Sequence, residues 1–112
     1  MLIIGELINA SRKAIREAIK SKDAPYIQQV ARDQAEAGAD YIDVNAGVFV
    51  GREPEHLTWL VKTVQEAVEK PCCLDSPDPA AIEAAFKIHQ GRPLINSISL
   101  EKDRWEKLLP VV

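Results

Sequence analysis

Four short apolar runs recur along this chain, each closing on a polar side chain, with helical periodicity between one run and the next. Leu2-Ile3-Ile4-Gly5 ends at Glu6, Tyr41-Ile42-Asp43-Val44 at Asn45, Cys72-Cys73-Leu74 at Asp75-Ser76, and Pro93-Leu94-Ile95 at Asn96-Ser97. Strand, polar tip, helix, strand is the order of parallel β/α units, whose ligands collect at the carboxyl ends of the strands. Acids and amides at successive strand ends therefore predict one composite pocket.

The intervening helices are marked by their caps and stripes. Residues 11–21 place Ala14, Ile15, Ala18 and Ile19 on one face. Asp23 or Ala24 then caps a second helix with Pro25 in its first turn, and Ile27, Val30, Ala31 and Ala35 follow at helical spacing before Gly38. Ala46 through Gly51 reads as a loop. Pro54 opens a helix carrying Leu57, Leu60, Val61, Val64 and Val68, closed by Lys70-Pro71. Asp78-Pro79 caps another, with Ile82, Ala85 and Phe86 on its buried face and Gly91 at its end. Ser99 caps a last helix running to Leu109, where Pro110 stops it.

Strand and helix thus alternate four times, with one extra early helix. The fold class is α/β, and two architectures satisfy it: a small doubly wound sheet, or the first four βα units of a (β/α)8 barrel. No glycine-rich phosphate loop follows any strand, which counts against the nucleotide-binding sheet. Polar side chains end every strand, as a barrel's functional rim requires. A whole barrel takes about 250 residues, so 112 residues make one domain, 1–112, that is an incomplete barrel.

A net charge of −3 gives no electrostatic reason to expect nucleic acid or an anionic membrane. No apolar run approaches the roughly 20 residues of a membrane span, and no signal-peptide pattern opens the chain, so cytoplasmic residence is the expectation. Cys72 and Cys73 are strand neighbours pointing to opposite faces, which disfavours a mutual disulfide, and they lack partners at metal-ligand spacing. No metal site is expected. His56 and His89 read as solvated or capping side chains, and Trp59 and Trp105 as packing residues before a partner surface. Arg12, Lys13, Arg16 and Lys20 form the wet face of the first helix.

Asp43 and Asn45 lie two apart in a strand and share a face. An inward carboxylate with no lysine or arginine in its strand needs a partner, because an unpaired buried charge is costly. That partner is a ligand, a loop or a distant arginine. Asp75 stands at a strand terminus, whereas Asp78 is most simply a helix cap. Asn96 offers both an amide donor and a carbonyl acceptor. Two carboxylates and an amide suit a flat heterocycle with a guanidine-like edge, such as a pterin, whose 2-amino group and N3–H present adjacent donors to one carboxylate.

At these residues the chain resembles a known family. Ile4-Gly5-Glu6-Leu7-Ile8-Asn9, Tyr41-Ile42-Asp43-Val44-Asn45, Leu74-Asp75-Ser76 and Leu94-Ile95-Asn96-Ser97 are similar to the N-terminal half of pterin-binding methyltransferases. The methyltetrahydrofolate:corrinoid methyltransferases are the best match, with the folate domain of cobalamin-dependent methionine synthase and dihydropteroate synthase as relations. The resemblance implies a barrel with the pterin at its carboxyl end. Asp75 and Asn96 would hold the ring, Asp43 and Asn45 would line the floor, Glu6 and Asn9 would shape the first strand's rim, and Ser97 would join the substrate-binding residues. It implies methyltetrahydrofolate as substrate and cobalamin carried by a separate corrinoid protein. Leu7 departs from the arginine that commonly follows the Gly-Glu pair.

The family's later strands, with a further pterin-binding aspartate and an asparagine near the reacting nitrogen, would lie beyond Val112. The resemblance therefore implies an isolated chain without activity, which associates with itself or with the missing half-barrel. Three rivals stay open: a dihydropteroate synthase, a non-catalytic half-barrel module, and an unrelated α/β domain whose strand-end acids serve another ligand.

Overall fold

A computed structural model describes residues 2–49 and 51–96. The anticipated helix at 99–109, with Trp105, and the anticipated substrate-binding residue Ser97 lie outside the described residues. The elements follow in the expected order: β1 (Ile4–Asn9), α1 (Lys13–Ser21), α2 (Ala24–Glu36), β2 (Tyr41–Asn45), α3 (Glu53–Ala67), β3 (Cys72–Asp75), α4 (Pro79–Ile88) and β4 (Leu94–Asn96). All pairings are parallel, and the sheet order is β1-β2-β3-β4. Order in space repeats order in sequence, without the reversal that creates the crevice of a doubly wound sheet.

Local chemistry explains the boundaries. Asp23 accepts a hydrogen bond from Tyr26 N–H at 3.3 Å, and Asp78 one from Ala80 N–H at 3.0 Å, so both anticipated acids cap their helices. Proline stands in the first turn of α2, α3 and α4, where its missing N–H costs nothing. Between α1 and α2 the chain turns through Lys22, a non-glycine residue at φ 56°. Its N–H satisfies the Ile19 carbonyl there.

One face of the sheet is packed by helices. Ile8, Ile42, Val44, Cys72 and Leu74 are buried in one cluster with Ile15, Ile19, Ile27, Leu57, Leu60, Val61, Val64 and Ile82. Alternation sends the intervening residues Asp43, Asn45, Cys73 and Asp75 to the opposite face. Cys72 and Cys73 are both free and buried.

β1 obeys this alternation only through a bulge. Gly5 pairs with Ile42 and Ile8 with Val44, so two β1 residues, Glu6 and Leu7, stand opposite the single residue Asp43. The extra residue shifts the phase: Gly5 and Ile8 both face the helices, while Glu6 and Asn9 both face away.

His89, read as solvated or capping, is a buried brace. Its Nδ1–H donates to the Gly91 carbonyl at 3.2 Å, and its Nε2 accepts Cys72 N–H at 2.9 Å. The Gln65 amide, 3.2 Å from Nε2, also donates to the Gln90 carbonyl and accepts from Gln90 N–H. Only a neutral ring can accept at Nε2, and burial holds the imidazole below its ordinary range. Replacing His89 with phenylalanine strands the first amide of β3 and should destabilise the full chain by about 2 kcal/mol in urea unfolding. A change under about 0.5 kcal/mol, the scale of an ordinary surface substitution, would show that the brace is dispensable.

Candidate functional site

The face turned away from the helices collects polar groups at the carboxyl ends of the strands. β1 contributes Glu6 and Asn9, β2 Asp43 and Asn45, and β3 Cys73 and Asp75. Asn96 pairs in register with Asp75 at the end of β4. The first three strands thus bring five of the seven anticipated residues to one face. A fourth strand carries Asn96 to the same level.

The two amides fold the rim. Asn9 Oδ1 accepts Ser11 N–H at 2.9 Å, and Asn45 Oδ1 accepts Gly47 N–H at 2.7 Å, so each shapes the loop that follows its strand. Ala10 N–H reaches the Asn45 carbonyl at 2.9 Å and ties the two strand tips together. Asn45 also hydrogen-bonds Asp75 and favours its ionised form.

Asp43 is the most constrained group. It is 2% exposed, and its Oδ2 makes no hydrogen bond. Burial pushes its carboxyl up to about 7; the like charge of Asp75, and competition with Asp75 for one proton, act in the same direction. Glu6 adds a smaller repulsion, and the Cys73 thiol, hydrogen-bonded to Asp43, opposes these effects. Asp75 is raised as well, by burial first and by Glu6, while bonds from Asp43 and Asn45 hold it down. The Cys73 thiol is pushed up to about 12 by burial and by Asp43, so it acts as a donor rather than a nucleophile. The strands therefore carry two close carboxyls at the site with fewer than two charges between them.

Glu53 is a neighbouring acid that the sequence reading missed. It opens α3, is 4% exposed, and leaves Oε2 without a hydrogen bond. Burial raises its carboxyl, and the charges of Asp78 and Asp75 add to the rise. A glutamate in a first helical turn ordinarily reads as a solvated partner of the helix dipole, so only the burial distinguishes it.

Just outside this rim lies a second cluster. His56, anticipated as solvated or capping, is buried, with its ring centroid 4.3 Å from that of Phe49. Lys22 Nζ lies 3.4 Å from His56 Nδ1 and 4.9 Å from the Trp59 ring centre. Burial, then Lys22, lowers the imidazole's proton affinity. Trp59 packs against the core, as anticipated. This cluster fastens the loop after β2 to α3.

The Asp43 shift fixes a sign for stability. Between its ordinary value of 3.8 and about 7 the folded chain keeps a proton that the unfolded chain has released. Stability from this group is therefore present on the acid side and lost as pH rises through that window. Asp43→Asn should gain stability relative to wild type on the alkaline side and show a smaller difference on the acid side. Urea midpoints measured on both sides check this, and a difference independent of pH would contradict it.

The chain as a whole is similar to known proteins. The family model for pterin binding enzymes matches residues 5–112. A methylcorrinoid:tetrahydrofolate methyltransferase of Eubacterium limosum is 46% identical over 111 residues, covering 99% of this chain and 41% of that protein. Methionine synthases of Mycobacterium tuberculosis and Mycobacterium leprae are each 32% identical, across 90% of this chain but 9% and 8% of their own lengths. The chain spans less than half of each of these relatives. With a match over nearly its whole length, the chain belongs to the pterin binding enzyme family.

Proposed function

We propose that residues 1–112 form the N-terminal part of a (β/α)8 barrel that moves a methyl group between N5 of methyltetrahydrofolate and the cobalt of a corrinoid protein. The observation that carries this reading is the Asp43–Asp75 pair on neighbouring strands, Asp43 buried with Oδ2 lacking a partner and Asp75 half-buried at the end of β3. Such a pair suits a flat ring with adjacent N–H donors better than it suits solvent.

Asp75 is the natural acceptor for the 2-amino and N3–H edge, since Asn45 supports its ionised form. Asp43, near 7, accepts or donates according to the edge presented to it. Asn96, in backbone register with Asp75, is assigned the mixed donor and acceptor edge of the ring, and Glu6 and Asn9 complete the rim, with Ser97 the next residue in the chain. Release of a methyl group from a tertiary amine requires positive charge at N5, which an acidic floor favours. The corrinoid, carried by the partner protein, supplies the cobalt that gives or takes the methyl group. The Eubacterium limosum relative's name supports this pairing of substrates.

Asp75→Ala should weaken methyltetrahydrofolate binding by about 2 kcal/mol, the order for a buried charged hydrogen-bond partner. Fluorescence titration of the full-length protein reads that loss, and an unchanged curve removes Asp75 from the site. A methyl-transfer assay with a methylated corrinoid protein then separates enzyme from module. Binding without transfer would refute the catalytic part of the reading.

A further inference from the structure

The β1 bulge removes Leu7 from the sheet ladder, and two side chains from outside the strand take up its backbone groups. Gln34 Oε1 accepts Leu7 N–H at 3.0 Å, and Arg12 Nη1 donates to the Leu7 carbonyl at 2.8 Å. Gln34 reaches the strand from α2, is 6% exposed, and leaves its own Nε2 without a partner. A buried, half-satisfied carboxamide is unfavourable by itself, so an apolar side chain would serve packing alone better. Gly5 completes the arrangement: a Cβ there would overlap the Gln34 carboxamide, 2.8 Å from Cδ. Three residues from three parts of the chain thus converge on one irregularity.

That irregularity lies opposite Asp43. Without it the strand would alternate regularly, Leu7 would take the helix-facing place that follows Gly5, and Ile8 would point into the polar face. With it, Glu6 and Asn9 both stand on the polar face and Ile8 is buried against the helices. Glu6 is near enough for its charge to reach both Asp43 and Asp75.

We propose that Gln34, assisted by Arg12, is a positioning residue: by holding the β1 bulge it sets Glu6 beside the Asp43–Asp75 pair. The consequence for ligand binding rests on the pterin reading above, but the placement of Glu6 does not.

Titration of the Asp43 carboxyl, followed by carbon-detected NMR in the full-length protein, tests the placement directly. The groups facing Asp43 are Asp75 and Cys73 from β3 and Glu6 from β1. Gln34→Met keeps the volume and removes the acceptor. Arg12→Ala, at an exposed side chain, releases the Leu7 carbonyl with little risk to folding. Each should lower the Asp43 midpoint in the same direction as Glu6→Gln. In a Glu6→Gln background Gln34→Met should add nothing, since the two act through one group. An unmoved midpoint in both single variants, or an equal shift in the Glu6→Gln background, overturns the proposal. Methyltetrahydrofolate affinity, expected to fall about tenfold in Gln34→Met through misplacement of the rim, is read separately. If wild type does not bind that ligand, the pterin reading fails, while the Asp43 midpoint still decides the placement.

Discussion

Two-residue alternation in parallel strands is the constraint from which the rest of this molecule follows. Burying Ile42, Val44, Cys72 and Leu74 under the helices leaves Asp43, Asn45, Cys73 and Asp75 no choice of side. The apolar core and the acidic face are one decision made by the same pleat. Slippage by one residue in either strand would bring carboxyls beneath the helices and aliphatic groups into the polar face. The register is therefore fixed by hydrophobic burial, and the site inherits that register.

The acids are uncomfortable where they stand. Asp43 and Glu53 each bury an oxygen with no hydrogen bond, and like charges surround both. Nothing in the helical core needs them. Buried acids that cost stability fit binding better than they fit folding. Structural order around them comes from neutral partners: the Asn9 and Asn45 turns, the tie from Ala10 to Asn45, and the His56–Phe49 contact.

Most of the fold was legible because its signals are local. Asp23 and Asp78 announce two helices from the residues beside them, and Gly38 and Gly91 mark turns that adopt positive φ. The strand-end acids were legible for the same reason. Hidden from the sequence were contacts between residues far apart in the chain. Gln34 looks like an ordinary polar residue of an amphipathic helix, and Arg12 like part of a wet basic face. Their meeting at Leu7 depends on a bulge that no local pattern announces. Glu53 and His56 were missed likewise, since burial of a first-turn residue depends on which loops lie over it. The resemblance pointed to strand-end residues, but not to the means by which the first strand is shaped.

Strand order that copies chain order also bears on how the molecule is assembled. Among the described residues each strand pairs with the one made just before it, and each helix packs beside its predecessor. Each pairing must first close a helical crossover, so that entropic cost is met one βα unit at a time. As the chain leaves the ribosome, β2 can dock on β1, and β3 on β2, before later segments exist. The acidic face would then be laid down strand by strand during synthesis, from its first edge onward.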